Sequence, residues 1–256
     1  MMGEVGKHKY DNYLTVRALE DNFTLSFSNV IEYCIHSDNS WVSLSANSST
    51  PAIRKGDAIS FRATFYPTSF TVGCGSFSIT KACNLEGNCM SLLFGDDAEG
   101  KTDISTFTTG VFGSLFKNCT GIRSVSKNFL PAATIVRYCY LDMFNSCTNM
   151  TTAPDLPAGV LFNDCYYGTF RNCVSLVDAP DLPAVSLVSN CYNYMFYMCS
   201  SLNYIKALFT TTPSYSYTRY WLTGTASSGT FVKSKDATWT LVGDHGIPKN
   251  WTIITE

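Results

Sequence analysis

Eleven cysteines are the residues of this 256-residue sequence best able to do chemistry, and their spacing argues against most of it. Six of them fall in three pairs eight residues apart: Cys139 and Cys147, Cys165 and Cys173, Cys191 and Cys199. If each pair spans two helical turns, its Cα atoms lie about 12 Å apart, beyond the roughly 4.4 to 6.8 Å that a disulfide spans. Equivalent cysteines on stacked helices would sit about 8 to 10 Å apart, again out of reach. Reduced, buried thiols acting as small hydrophobes are the expectation. Cys34, Cys74, Cys83 and Cys89 show no paired C-x-x-C spacing, so they read as core residues and not as a zinc site. The acidic stretch Asp96-Asp97-Ala98-Glu99, with Asp103 beyond it, offers the oxygens a hard cation prefers but follows no complete calcium-loop pattern, and reads as a solvated turn.

The remaining chemistry-bearing residues are sparse. Of the three histidines, His8, His36 and His245, none falls in a nucleophile or metal motif. There is no G-x-S-x-G elbow, no H-E-x-x-H and no phosphate-cradling P-loop. Asp155 and Asp181 occupy equivalent positions 26 residues apart, and a glycosidase acid and base would need such a carboxylate pair. Recurrence at a repeat position points instead to a structural role. The sequence thus predicts no catalytic residues, no metal, no cofactor and no enzymatic activity.

What must position these residues is a repeat. Cys139-Tyr140-x-x-Met143-Phe144-x-x-Cys147 recurs as Cys165-Tyr166-x-x-Thr169-Phe170-x-x-Cys173 and as Cys191-Tyr192-x-x-Met195-Phe196-x-x-Cys199, each time 26 residues on. The same offset relates Met150, Leu176 and Leu202, and also Leu156, Leu182 and Leu208. A degraded earlier copy runs from Phe116 through Cys119 to Val125. A fixed period of this length is the mark of a solenoid, whose units bury their apolar faces only by stacking. Within a unit the four-residue intervals of Cys139, Met143 and Cys147 predict about two helical turns. The Met150–Leu156 stretch predicts a brief strand that Pro154 keeps short.

The Leu-Pro-Ala of each unit, its Cys-Tyr-x-x-Met-Phe-x-x-Cys and its Ser175-Leu176 or Ser201-Leu202 resemble the BspA-like leucine-rich repeats of gut Bacteroidales and of their phages. The resemblance covers roughly residues 110 to 210. An inserted Ala-Pro-Asp at residues 153–155 and 179–181, and a Tyr-rich segment where the family's usual repeat has Ile-Gly and Ala-Phe, set this chain apart.

Residues 13–82 hold six or seven short β-rich runs, among them Leu14-Thr15-Val16, Ile31 to Ile35, Ala58 to Phe65 and Phe70 to Val72, separated by turn clusters. Such spacing predicts a small antiparallel sandwich. The expected fold class is therefore β-rich α+β: an N-terminal β-sandwich, then a short leucine-rich-repeat solenoid of 26-residue period, then a C-terminal β cap. The expected divisions are a tail (1–12), the sandwich (13–85), a connector and N-terminal cap (86–110), the solenoid (111–209) and the cap (210–256). The solenoid core is expected to comprise Cys139, Phe144, Cys147, Leu156, Cys165, Phe170, Cys173, Leu176, Leu182, Cys191, Phe196, Cys199, Leu202 and Leu208.

Only 15% of residues are charged and the net charge is −2, which gives no broad basic footprint for nucleic acid. No apolar run approaches membrane-spanning length, and residues 1–10 lack the apolar centre of a secretory signal. Fifteen tyrosines supply rigid contact area with a polar tip. The aligned Tyr140, Tyr166 and Tyr192 read as packing between coils, whereas Tyr138, Tyr167, Tyr194 and Tyr197 form the candidate binding surface. The resemblance and the missing signal together imply a non-enzymatic, virion-associated phage protein, a fibre or decoration module exposed on the virion surface. Its sandwich would attach to other virion proteins, its solenoid would meet a host-surface protein or glycan, and self-association is compatible with it. The alternatives are a BspA-like adhesin on a bacterial cell surface and a polysaccharide-acting enzyme.

Overall fold

The computed structural model describes residues 9–67 and 73–256. His8 and the run Phe70 to Val72 lie outside the described residues. Strands β1 (Leu14–Ala18), β2 (Ser26–Phe27), β3 (Ile31–Ile35), β4 (Ser40–Leu44), β5 (Ala58–Arg62), β6 (Phe77–Ser78) and β7 (Cys83–Glu86) occupy the first third of the chain. Strands β1 and β5 bury nearly every side chain, as continuous apolar runs in the middle of a sheet do. Strand β4, at the edge, buries only Leu44 and leaves Val42 exposed on the same face, so it is covered at one end alone. It pairs with β3 across residues 36–39, where Asn39 takes the left-handed conformation (φ 56°) that a tight reversal needs.

These strands do not make the expected sandwich. They line up as one sheet in the order β4-β3-β5-β1-β7-β8, while β2 and β6 form a separate two-residue pair. Strand β8 (Ile122–Val125) belongs to the first repeat unit and joins β7 in parallel. Gly121 lets it do so, because a Cβ there would run into the backbone carbonyl of Lys81. The N-terminal sheet therefore runs directly into the repeats, with no gap in the apolar core between them.

The expected helices are absent from the repeats as well. In Tyr138–Cys147 the N–H groups of Cys139, Leu141, Met143, Asn145 and Cys147 each donate to the carbonyl three residues back. Those of Tyr138, Tyr140, Asp142, Phe144 and Ser146 cross instead to carbonyls 25 residues ahead. The next two units repeat this alternation, Tyr166 reaching Cys191 and Tyr192 reaching Tyr217. The backbone is a ribbon of successive four-residue turns, layered on its copies. Every fourth residue is left-handed: Asp142 and Ser146, then Asp164, Gly168 and Asn172, then Asn190, Tyr194 and Met198. A right-handed helix cannot absorb a left-handed residue every four positions. A four-residue turn period nonetheless mimics the helical spacing of Cys139, Met143 and Cys147.

On the other side of each layer the chain is extended but barely paired. Single parallel bridges join Ser124 to Thr152, Thr152 to Asp178 and Leu182 to Ala207. The C-terminal region, where the sequence predicts a β cap, adds β9 (Tyr204–Ala207), β10 (Gly229–Lys233) and β11 (Trp251–Thr255) as an all-parallel sheet. Among the described residues α-helix amounts to α1 (Ser91–Phe94) and α2 (Tyr215–Thr218). The expected combination of a β-sandwich, a leucine-rich-repeat solenoid and a β cap is thus corrected. What stands is a β-rich protein of three sheets.

Candidate functional site

The repeat residues singled out in the sequence converge on the core. Cys139, Phe144, Cys147, Leu156, Cys165, Phe170, Cys173, Leu176, Leu182, Cys191, Phe196, Cys199 and Leu202 are all buried, whereas Leu208 is half-exposed. Their rings form two columns. Phe77, Phe116, Phe144, Phe170 and Phe196 stack with centroids 5.1 to 5.7 Å apart and planes within 8° of parallel. Beside them Phe112, Tyr140, Tyr166, Tyr192 and Trp221 stack at 5.6 to 6.3 Å. Offset stacking at these separations adds to simple burial.

All eleven cysteines are buried free thiols. Four of them share one recurring partner. The thiols of Cys119, Cys147, Cys173 and Cys199 donate to the carbonyls of Phe77, Phe116, Phe144 and Phe170, at 3.0 to 3.2 Å. Burial pushes Cys119 and Cys191 up to about 12 and raises the other repeat thiols as well, so a nucleophilic thiolate is disfavoured.

The acidic loop is engaged by its neighbours. Both oxygens of Asp96 accept from Arg62 Nη1, at 2.7 and 2.9 Å, and Oδ1 also accepts from the Tyr13 hydroxyl at 2.8 Å. These bonds hold the Asp96 carboxyl below its usual range. Arg62 also lies 4.2 Å from the ring centre of Trp41, beside a cleft of about 530 Å³. No group of three metal-ligating side chains is assembled among the described residues. Asp155 and Asp181 both line a shallow hollow of about 500 Å³ on the extended side. Lys127 lies 2.8 Å from Asp178 and 4.0 Å from Asp155, and Lys206 pairs with Asp181 at 3.7 Å and with Glu256. These are exposed ion pairs. His36 stacks on Tyr10 at 3.8 Å and meets the Ser60 hydroxyl at 2.8 Å.

The turn side carries the most distinctive arrangement. Tyr167 and Tyr194 lie 5.5 Å apart and Tyr194 and Tyr197 5.7 Å apart, so three of the four candidate surface tyrosines meet. The fourth, Tyr138, is met instead by Arg137, 5.2 Å from its ring centre. The sequence reading missed Arg171, Arg219, Tyr215 and Tyr220, and gave His245 no role here. Arg171 lies 5.3 Å from the centre of Tyr194 and 5.4 Å from that of Tyr197. Arg219 lies 5.5 Å from Tyr194, 5.5 Å from Tyr220 and 4.4 Å from Tyr215. His245 packs against Tyr215 and Tyr220. Aligned on the 26-residue offset, Arg171 falls at the position of Tyr197 and Arg219 at that of Asn193. Extending the alignment from the tyrosines to the arginines would have found them. Gly168 keeps the face low beside Asp142, whose carboxylate a Cβ there would strike.

No family model, curated protein or solved structure matches the chain, and the BspA-like resemblance therefore rests on the repeat residues alone.

Proposed function

We propose that the protein is a non-enzymatic recognition module whose turn-side face, centred on Tyr194, binds a partner. The observation that carries this reading is where the aromatic rings sit. Most left-handed positions in the repeats hold Asn, Asp, Ser or Gly, which tolerate that conformation. Tyr138, Tyr194 and Tyr220 hold it at φ 51° to 56° with a bulky side chain, at a cost of about 1 to 2 kcal/mol each. All three rings are half-buried and at the surface, so core packing does not account for the cost. Strain kept at surface aromatic residues points to function.

The thiols, carboxylates and imidazoles support a non-catalytic reading, since the cysteines are buried, Asp96, Asp155, Asp178 and Asp181 beside the clefts are ion-paired with lysine or arginine, and the described histidines pack against tyrosine rings. The setting we propose is a phage virion, on the strength of the repeat resemblance, with the turn-side face turned toward the host surface. Two parallel measurements test this. Fluorescent protein should be retained by the envelope of Bacteroidales cells, and mass spectrometry should find the chain in particles purified from the phage that encodes it. A chain absent from particles and held by no cell surface would overturn the proposal.

A further inference from the structure

The turn-side face holds two arginines without an acid. Arg171 and Arg219 both approach within 5.5 Å of the Tyr194 ring centre, yet neither guanidinium makes an ion pair or donates a hydrogen bond to any described residue. Their Nε atoms are buried and unpartnered. Asp142, whose carboxylate lies beside Gly168 on this face, is taken by Lys117 at 2.9 Å and by the Asn145 amide at 3.0 Å. Two cations held around one ring, their N–H forks unused, form a site that lacks an oxyanion. Around them the hydroxyls of Tyr167, Tyr194, Tyr197 and Tyr220 make no hydrogen bond with a described residue either. Each leaves a donor and an acceptor at the rim.

We infer that this face binds an acidic oligosaccharide, its carboxylates met by Arg171 and by Arg219 and its hydroxyls by the tyrosine rim. The inference rests on the recognition reading above and names its ligand class. Three features favour a sugar acid over other anions. The half-buried rings offer flat apolar surface for the C–H face of a pyranose, with phenol hydroxyls at their edges. An extended peptide would pair with free backbone groups, but from Tyr138 to Met198 the N–H groups on this face are spent within and between layers. A nucleic acid would demand a broad positive field, and the net charge is −2.

The test uses the full chain and a calorimetric panel: oligogalacturonate, oligoalginate and a sialic-acid oligomer, each beside its carboxyl-reduced counterpart, with a poly-glutamate peptide as the competing anion. At least one acidic saccharide is expected to bind, with its reduced form at least tenfold weaker. R171Q and R219Q should each weaken binding at least tenfold, and R171K should restore only part of it, since lysine returns the charge without the fork. Unfolding midpoints of the variants should lie close to the parent's, because each guanidinium contacts tyrosine rings but makes no ion pair or hydrogen bond with a described residue. No binding to any acid form, equal binding to a reduced form, indifference to both glutamine variants, or tighter binding to poly-glutamate would each overturn the saccharide assignment. Retention on cells that is abolished by removing the tyrosines but untouched by the arginine variants would leave the recognition face standing and sink only its acidic ligand.

Discussion

The thiol of Cys173 donates to the carbonyl oxygen of Phe144, 3.1 Å away in the preceding layer, and that same oxygen accepts the backbone N–H of Cys147 at 3.0 Å. Both lone pairs of a buried carbonyl are thereby used, and the pattern recurs at Phe116 and Phe170. Cysteine is suited to the position because it is small, apolar and still a weak donor. Replacing Cys173 by Ala should cost about 1 to 2 kcal/mol, through removal of a donor and creation of a small void. Chemical denaturation measures it, and a neutral or stabilising result would remove the thiol bond from the account.

The same burial sets reactivity. Iodoacetamide at about pH 8 should leave all eleven thiols unmodified in the native protein and alkylate all of them in guanidinium, because desolvation holds Cys119 and Cys191 near 12 and raises the rest of the repeat set. Rapid labelling of any repeat cysteine in the native state, or a disulfide in the mapped peptides, would contradict the layering.

Along the extended side, Leu182 is fully buried and Leu208 half-exposed, although the sequence aligns them. Leu182→Ala should destabilise by about 2 to 5 kcal/mol, the range for a truncated core leucine. Leu208→Ala should cost less than half as much. Equal losses at the two positions would mean that the last layer is closed differently.

How much of this was legible follows from which periods are unambiguous. The 26-residue offset and the buried identities of Phe144, Phe170 and Phe196 can be read directly, because stacking copies must present the same side chains inward. The backbone between them was misread, since a four-residue turn ribbon and a 3.6-residue helix place Cys139, Met143 and Cys147 on one face alike. The distinguishing signal was Asp142, Ser146, Asp164, Gly168, Asn172 and Asn190, small or polar residues at four-residue spacing where a helix has no need of them. The single N-terminal sheet was illegible for another reason. Short strands at turn-bounded spacing say nothing about whether β8, distant in sequence, completes their sheet. At the candidate site the tyrosines stood out by abundance, while two arginines in a weakly charged chain did not.

In the N-terminal sheet, His36 lies between Tyr10 and Ser60, and its pKa is lowered by desolvation first and by Arg17 next, against the opposing pull of Asp57 and Glu86. Its folded pKa lies below the unfolded value of about 6.5, so the unfolded chain binds more protons and stability rises with pH through this window. The His36 contribution should be complete above about pH 7 and decline as pH falls from about 6.5 through the folded pKa. Thermal unfolding at a series of pH values, for the parent and for His36→Gln, measures the slope. A variant that keeps the parent's full slope would assign the pH dependence elsewhere.

The central claim is that rings at left-handed positions are kept for recognition and not for folding. The most direct measurement is the paired stability and envelope binding of Tyr194→Asn combined with Tyr220→Asn. Asparagine tolerates φ near 51° to 56°, so the relief of backbone strain should offset the weaker ring packing, and stability should stay within about 1 kcal/mol of the parent. Binding to host cells should fall at least tenfold. A variant that binds as the parent does would contradict the account, and so would one that unfolds several kcal/mol more readily, which would make these tyrosines part of the packing.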